Sequence, residues 1–318
     1  MPEPIEASWL AVRRAADERA RAASVPLIEQ LAARLTSPMP EDRDHDTSRG
    51  PSAAASDGIP RRIAFVDVGA GTGANQEWLG PQVQQRMGHA WAQDWNLLDH
   101  DASLLAQARP SSHEWLADTT RHVGGVEEVG VVLGRLHRPR VVTCSALLDL
   151  LTADQIDSLV RACVAGSEGA LLSLSVTGEV RLDPQNANDT LVADLFNRHQ
   201  RGGDARNTGT DGDSTLGPDG WHHAERAFEA AGWTVELATT AWRLGPDDEA
   251  LTRRLLTERA GAARRATDDQ EKRQQVDAWL AGRLGDIDAD QLRMSVDHVD
   301  VLALPPSIIS VQTSSPRA

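Results

Sequence analysis

Apolar positions change their period several times along the chain, and each change marks an element. Trp9, Val12, Ala16, Ala20, Ala23, Leu27 and Leu31 recur at spacings of three and four, with arginines and acids between them. That spacing predicts amphipathic helix over 5–35. Pro26 lacks the amide hydrogen that a helix interior needs, so two helices are expected. Between Thr36 and Gly58 the text turns to Pro, Ser, Ala and Asp with few apolar side chains, which marks a linker or loop. Short apolar runs at 63–68, 95–98, 113–116, 140–144 and 170–176 then read as strands, with helical spacing at 102–108, 125–136 and 153–164.

Strand and helix in alternation predict a parallel sheet covered by helices on both faces. After Val176 the rhythm loosens into a polar stretch over 183–220. A helix at 221–231, a strand at 233–242, two charge-rich amphipathic helices within 247–285 and a last strand at 292–302 follow. The expected organisation is an N-terminal helical cap (1–37), a linker (38–60), one large α/β domain (61–304) and a tail (305–318).

Composition narrows the functional classes. The chain has 318 residues, 40% of them hydrophobic, enough for a sizeable core. Its formal net charge of -15 repels phosphate backbones and anionic lipid, so neither nucleic acid nor membrane is expected as a partner. Two cysteines, Cys144 and Cys163, are too few for a disulfide framework or a multi-cysteine metal site, and no metal is expected. No apolar run has the length of a membrane span or signal peptide, so a cytoplasmic location is expected. Lys272 is the only lysine among many arginines, and tyrosine is absent, as in chains encoded by GC-rich bacterial genomes.

The chemistry concentrates at residues 62–73, RIAFVDVGAGTG. A strand runs straight into Gly69, Gly71 and Gly73, where the lack of a Cβ permits positive φ and close approach of backbone to a ligand. The spacing Gly69, Gly71, Ala74 also fits a dinucleotide pattern, so the glycines alone leave an NAD-dependent oxidoreductase open. Asp67, two residues before the first glycine, suits a cationic ligand group, and Asp99, ending the next strand (WNLLD), suits a ribose diol.

VDVGAGTG followed by LLDHD resembles the S-adenosylmethionine-binding half of the class I methyltransferases. The resemblance implies a Rossmann-like, doubly wound, seven-stranded sheet, mostly parallel with an antiparallel last strand. It implies that Gly69, Ala70, Gly71 and Gly73 line the methionine moiety, that Asp67 helps hold its amino group, and that Asp99, beside His100, binds the ribose hydroxyls. Asp118, expected after the third strand, would receive the adenine amine. The segment VVTCSALLDLL resembles the part facing the methyl donor, with Ser145 and Ala146 beside the sulfonium and Asp149 opening the substrate side. Residues 183–220 would form an acceptor-side insertion and 246–290 a helical lid. His199, in FNRHQR, is the first candidate for a general base, with Asp149 beside it, whereas His298 and Asp300 on the last strand are expected to be structural.

No Asn/Asp-Pro-Pro-aromatic motif follows the fourth strand, which argues against amino methylation of adenine, cytosine or glutamine, and the lack of a Pro-Cys pair argues against cysteine attack on a pyrimidine ring. The reading is methyl transfer from S-adenosylmethionine to a small-molecule acceptor, with a homodimer allowed. The acid-rich composition favours a neutral or cationic acceptor. A non-catalytic subunit with the same fold is the other alternative.

Overall fold

The computed structural model describes residues 7–36, 60–108, 113–201 and 214–306. The expected linker and tail fall almost entirely outside them. The chain opens with α1 (Ala7–Arg21), a short 3-10 turn (Ala22–Ser24) and α2 (Val25–Thr36). Pro26 occupies the second position of α2, where a missing amide hydrogen costs nothing.

The body follows as β1 (Arg61–Val68), α3 (Ala74–Met87), β2 (Trp91–Asp99), α4 (Ala102–Leu105), β3 (Leu116–Val123), α5 (Val129–Gly134), β4 (Arg140–Ser145), α6 (Ala153–Gly166) and β5 (Gly169–Asp183). Then come α7 (Asp189–Gln200), α8 (Gly220–Ala230), β6 (Thr234–Leu244), α9 (Glu249–Arg265), α10 (Gln270–Asp288) and β7 (Arg293–Leu304). Among the described residues these strands form one seven-stranded sheet in the order β3-β2-β1-β4-β5-β7-β6. β1 to β5 run parallel, and β7 is antiparallel to both β5 and β6.

The period of two along the strands divides the core. Val66, Val142, Leu172 and Val301 face α5, α6 and α8, while Ile63, Phe65, Leu171 and Leu302 face α2 and α3. Leu27, Ile28 and Leu31 of α2 are thus buried in the same cluster as the sheet. A third cluster lies at the far end of the antiparallel strands, where Leu182, Trp242, Met294 and Val296 pack against α1, α7, α9 and α10.

Two elements differ from expectation. The third strand lies at Leu116–Val123, after the apolar HEWL run rather than within it. It is an edge strand with mostly exposed side chains, so it carries no apolar signal, and the Trp115 of that run instead packs under α3 against Gly80. The polar stretch over 183–220 contains α7, whose Val192 and Leu195 supply just enough apolar surface to bury one side. Cys144 and Cys163 are buried as apolar residues, and burial pushes both thiols up in pKa.

Candidate functional site

Successive connections run from β1 outward to β3 in one direction and from β4 to β5 in the other, which opens a crevice at the C-terminal ends of β1 and β4. The glycine loop fills the rim of that crevice. Gly69 (φ 66°), Gly71 (φ 53°) and Gly73 (φ 81°) all adopt the left-handed region. The amides of Gly69 and Ala70 donate to the Leu98 carbonyl at 2.8 and 3.2 Å, tying the loop to β2. The Gly71 amide donates to Asp99 Oδ2 at 2.7 Å, and the Asp101 amide donates to Oδ1 at 2.9 Å. Asp101, not Asp99, caps α4, accepting from the Ser103 amide at 2.8 Å.

A cavity lies over this loop. Gly69, Ala70, Gly71, Asp99, His100 and Ser145 line it, together with Asn75 and Trp78 of α3 and the face of α1 that carries Leu10, Arg13, Arg14 and Arg21. α1 sits so close that a Cβ on Gly71 would come within 3.1 Å of Leu10 Cδ1. Gly73 turns away from the cavity, its absent Cβ facing Ala108 and Leu97.

Asp67 does not line this cavity; it lies beneath it, behind Asn75. Its Oδ1 accepts from Asn75 Nδ2 at 2.6 Å and from the Thr143 hydroxyl at 2.8 Å, while its Oδ2 is buried with no partner. Burial pushes its pKa up to about 6, against the pull of those two donors and of the Arg21 charge. Asn75 Oδ1 accepts in turn from Arg21 Nη2 at 2.6 Å, and the Arg21 guanidinium lies 3.9 Å over the Trp78 ring. Arg21 Nε is buried without a hydrogen bond. A polar chain thus runs from β4 through β1 and α3 to the end of α1.

A second cavity shares Trp9, Arg13, Ala146 and Leu150 with the first, so the two meet at a common wall. Ala146 (φ 54°) and Leu174 (φ 55°), both lining this second cavity, are non-glycine residues in the left-handed region. Such strain costs roughly 1–3 kcal/mol per residue and collects at binding sites. Asp149, Phe196, Trp242, Arg259 and His298 complete the walls used below. Asp149 has its pKa raised, first by burial and against the attraction of Arg13. His298 is 1% exposed, its Nδ1 has no hydrogen-bond partner, and burial pulls its pKa down to about 3, so the imidazole is neutral.

The structure therefore gathers Gly69, Ala70, Gly71, Asp99, His100 and Ser145 at one cavity and Asp149 at the other. Asp118 is not with them. It lies near the start of β3, in register with Asp94 of β2 and away from the C-terminal strand ends, and accepts from the neighbouring Thr119 amide at 2.8 Å. The displaced strand explains this correction. His199 lies on α7 but lines neither cavity, while Phe196 and Gln200 of the same helix line the second. The histidine at the cavity is His298 of β7, brought there because the antiparallel insertion runs past the end of the parallel strands. Asp300 is structural, with Oδ1 accepting from the Leu174 amide at 2.7 Å and Oδ2 from the Ser24 hydroxyl at 2.6 Å. Trp9, Arg13, Arg21 and Arg259 were not singled out by sequence reasoning. The only signal for the first two was their spacing of four on one helical face.

The antiparallel β7, inserted between β5 and β6, completes the strand order that the resemblance implies. The fold is that of the class I methyltransferases. No family model matches the chain, and no curated protein matches it in sequence. Among solved structures it is similar to a cyclopropane-fatty-acyl-phospholipid synthase-like protein from Lactobacillus casei, at a TM-score of 0.41 and 13% identity over 90% of this chain and 92% of that one. A cyclopropane synthase from Mycobacterium tuberculosis gives a TM-score of 0.39 and 11% identity over 88% and 83% of the two chains. A methyltransferase from Geobacter sulfurreducens, in complex with S-adenosylhomocysteine, gives 0.36 and 14% over 88% and 91%.

Proposed function

We propose that the chain is an S-adenosylmethionine-dependent methyltransferase acting on a small molecule, with the donor in the glycine-loop cavity and the acceptor in the cavity lined by Trp9 and Trp242. The observation that carries this reading is the Asp99 carboxylate on the Gly71 amide, at 2.7 Å. A dinucleotide needs the glycine-loop amides for its pyrophosphate. Here an acid already holds one of them and sets a negative charge where that pyrophosphate would lie. Asp99 retains unused lone pairs facing the cavity, which suit ribose hydroxyls.

The remaining residues fit the same molecule. Arg21, with a buried Nε that has no partner, suits the methionine carboxylate, and Asp67, with an unpartnered Oδ2 behind Asn75, balances the ammonium from beneath. When bound, the donor supplies a sulfonium methyl that is intrinsically electrophilic. The chain must then hold a nucleophile in line with it and exclude water. Ala146 and Leu150, shared by both cavities, are the wall across which the two molecules would meet, and α1 closes both from outside. Asp149, its proton affinity raised by burial, would take the proton from a hydroxyl or ammonium acceptor.

Calorimetric titration with S-adenosylhomocysteine and with NAD tests the reading. Saturable binding of the first alone is expected, and saturable NAD binding without it would overturn the proposal. A donor that binds but yields no methylated product across a broad metabolite panel would favour the non-catalytic alternative.

A further inference from the structure

The arginines facing the two cavities have acids acting on them, with one exception. Arg13 is held by Asp17 through two bonds, at 2.8 and 3.2 Å, and Arg14 pairs with Glu18 at 3.0 Å. Arg21 also keeps an unpartnered Nε, and burial pulls its pKa down, but Asn75 accepts from it and Asp300, Asp17 and Asp67 oppose that shift. Arg259 of α9 lines the tryptophan cavity at 7% exposure, and its Nη2 is buried without a hydrogen bond. No acid offsets its burial, which pulls its pKa down to about 10 and still leaves it charged at neutral pH. The adjacent acid, Glu258, is engaged by Arg254 at 2.7 Å. Arg259 has its guanidinium 4.0 Å from the Phe196 ring, which supports one face of the fork.

A buried guanidinium without an anion is costly unless something supplies one. A planar carboxylate matches the fork with two parallel, charge-assisted bonds. A phosphate dianion fits less well, because the other cation of this cavity, Arg13, is already neutralised by Asp17, while Asp149 would repel the second charge. Trp9, Trp242, Leu255 and Val296 give the cavity apolar walls that suit an apolar or aromatic body, and its other acid, Glu179, is engaged by Arg181 at 3.2 Å. The acid-rich composition favours a neutral or cationic acceptor, but the one charge here on which no acid acts is positive.

We infer that Arg259 anchors a carboxylate on the methyl acceptor, and that the acceptor is an organic acid with an apolar or aromatic body. The inference rests on reading the tryptophan cavity as the acceptor site. It is tested with 3-phenylpropanoate and its neutral amide as probes, titrated into the full chain with S-adenosylhomocysteine present, for the wild type and for Arg259→Gln. The acid is expected to bind the wild type on the order of tenfold or more tightly than the amide, and Arg259→Gln to abolish that preference. Equal binding of acid and amide, or a preference that survives in Arg259→Gln, overturns the inference. Without ligand, the variant is expected to unfold at the same or a higher temperature, since no ion pair is lost; a marked fall would make Arg259 structural and overturn it equally. Absence of S-adenosylhomocysteine binding in these titrations would sink the methyltransferase reading, whereas its presence with no acid preference sinks this inference alone.

Discussion

In the parallel half of the sheet, β1 and β2 end in carboxylates whose oxygens are mostly claimed by the protein itself. Asp99 holds the Gly71 and Asp101 amides, and Asp67 holds Asn75 and Thr143. In the antiparallel half, β7 and α9 bring His298 and Arg259 to a cavity where each keeps a buried nitrogen without a partner. The first half is largely set in shape by these bonds, with Asp67 Oδ2 and the nearby Arg21 Nε left over. The second leaves its polar groups to be completed from outside, which is where choice between ligands resides, because an unmet buried donor rejects any molecule that cannot satisfy it.

The harshest way to break the contrast is Gly71→Val. A β-branched residue at φ 53°, with its Cβ 3.1 Å from Leu10, is expected to weaken S-adenosylhomocysteine binding roughly hundredfold or more. Cooperative unfolding should persist, which calorimetry and a urea titration check together.

Next come the two buried titratable groups, which should pull stability in opposite directions. Asp67 has its pKa raised from 3.8 to about 6, so between those values the folded chain keeps a proton that the unfolded chain loses, and stability falls as pH rises. Asp67→Asn should therefore gain on the wild type from about pH 4 to 6, by on the order of 3 kcal/mol. His298 is lowered from 6.5 to about 3, so the unfolded chain takes a proton first and stability falls as pH drops through that window. His298→Gln should gain on the wild type in that direction, by about 3 kcal/mol near pH 4. Denaturant midpoints across pH 4 to 8 decide, and parallel curves for the three proteins would refute the contrast.

Asp99→Ala is expected to cost donor affinity about tenfold or more, from charge-assisted bonds of about 1.5–3 kcal/mol each. The smallest effect sharpens that one. Asp101→Ala should lose about 1 kcal/mol of stability as a missing helix cap, with a smaller loss of donor affinity than Asp99→Ala in the same titration.

What was legible in the sequence follows the same division. β1, β2 and the glycine loop are continuous in sequence, so Gly69, Gly71 and Asp99 could be placed from local pattern alone. Asp67 was found, but its depth was not, because that depends on Asn75 and Thr143 closing over it from other elements. Asp118 was misplaced because an exposed edge strand has no apolar period to read. The tryptophan cavity is assembled from α1, α7, α9, β6 and β7, hundreds of residues apart in the chain, so neither Arg259 nor the role of His298 had a local signature. His199 is the titratable residue that FNRHQR offers, but only the packing of α7 on α9 reveals that Phe196 and Gln200 are the ones turned to the cavity.

Trp9 and Arg13 belong to both chambers, and Asp17 fastens that same stretch of α1 to the Trp242 indole at 2.9 Å. One door therefore serves two rooms. If the proposed donor and acceptor occupy these rooms, swinging α1 aside for one would unseal the other, so their escape rates should be coupled. Stopped-flow release of S-adenosylhomocysteine, slowed when the adjoining room is occupied, is the signature of that shared threshold, and release indifferent to occupancy would mean separate exits.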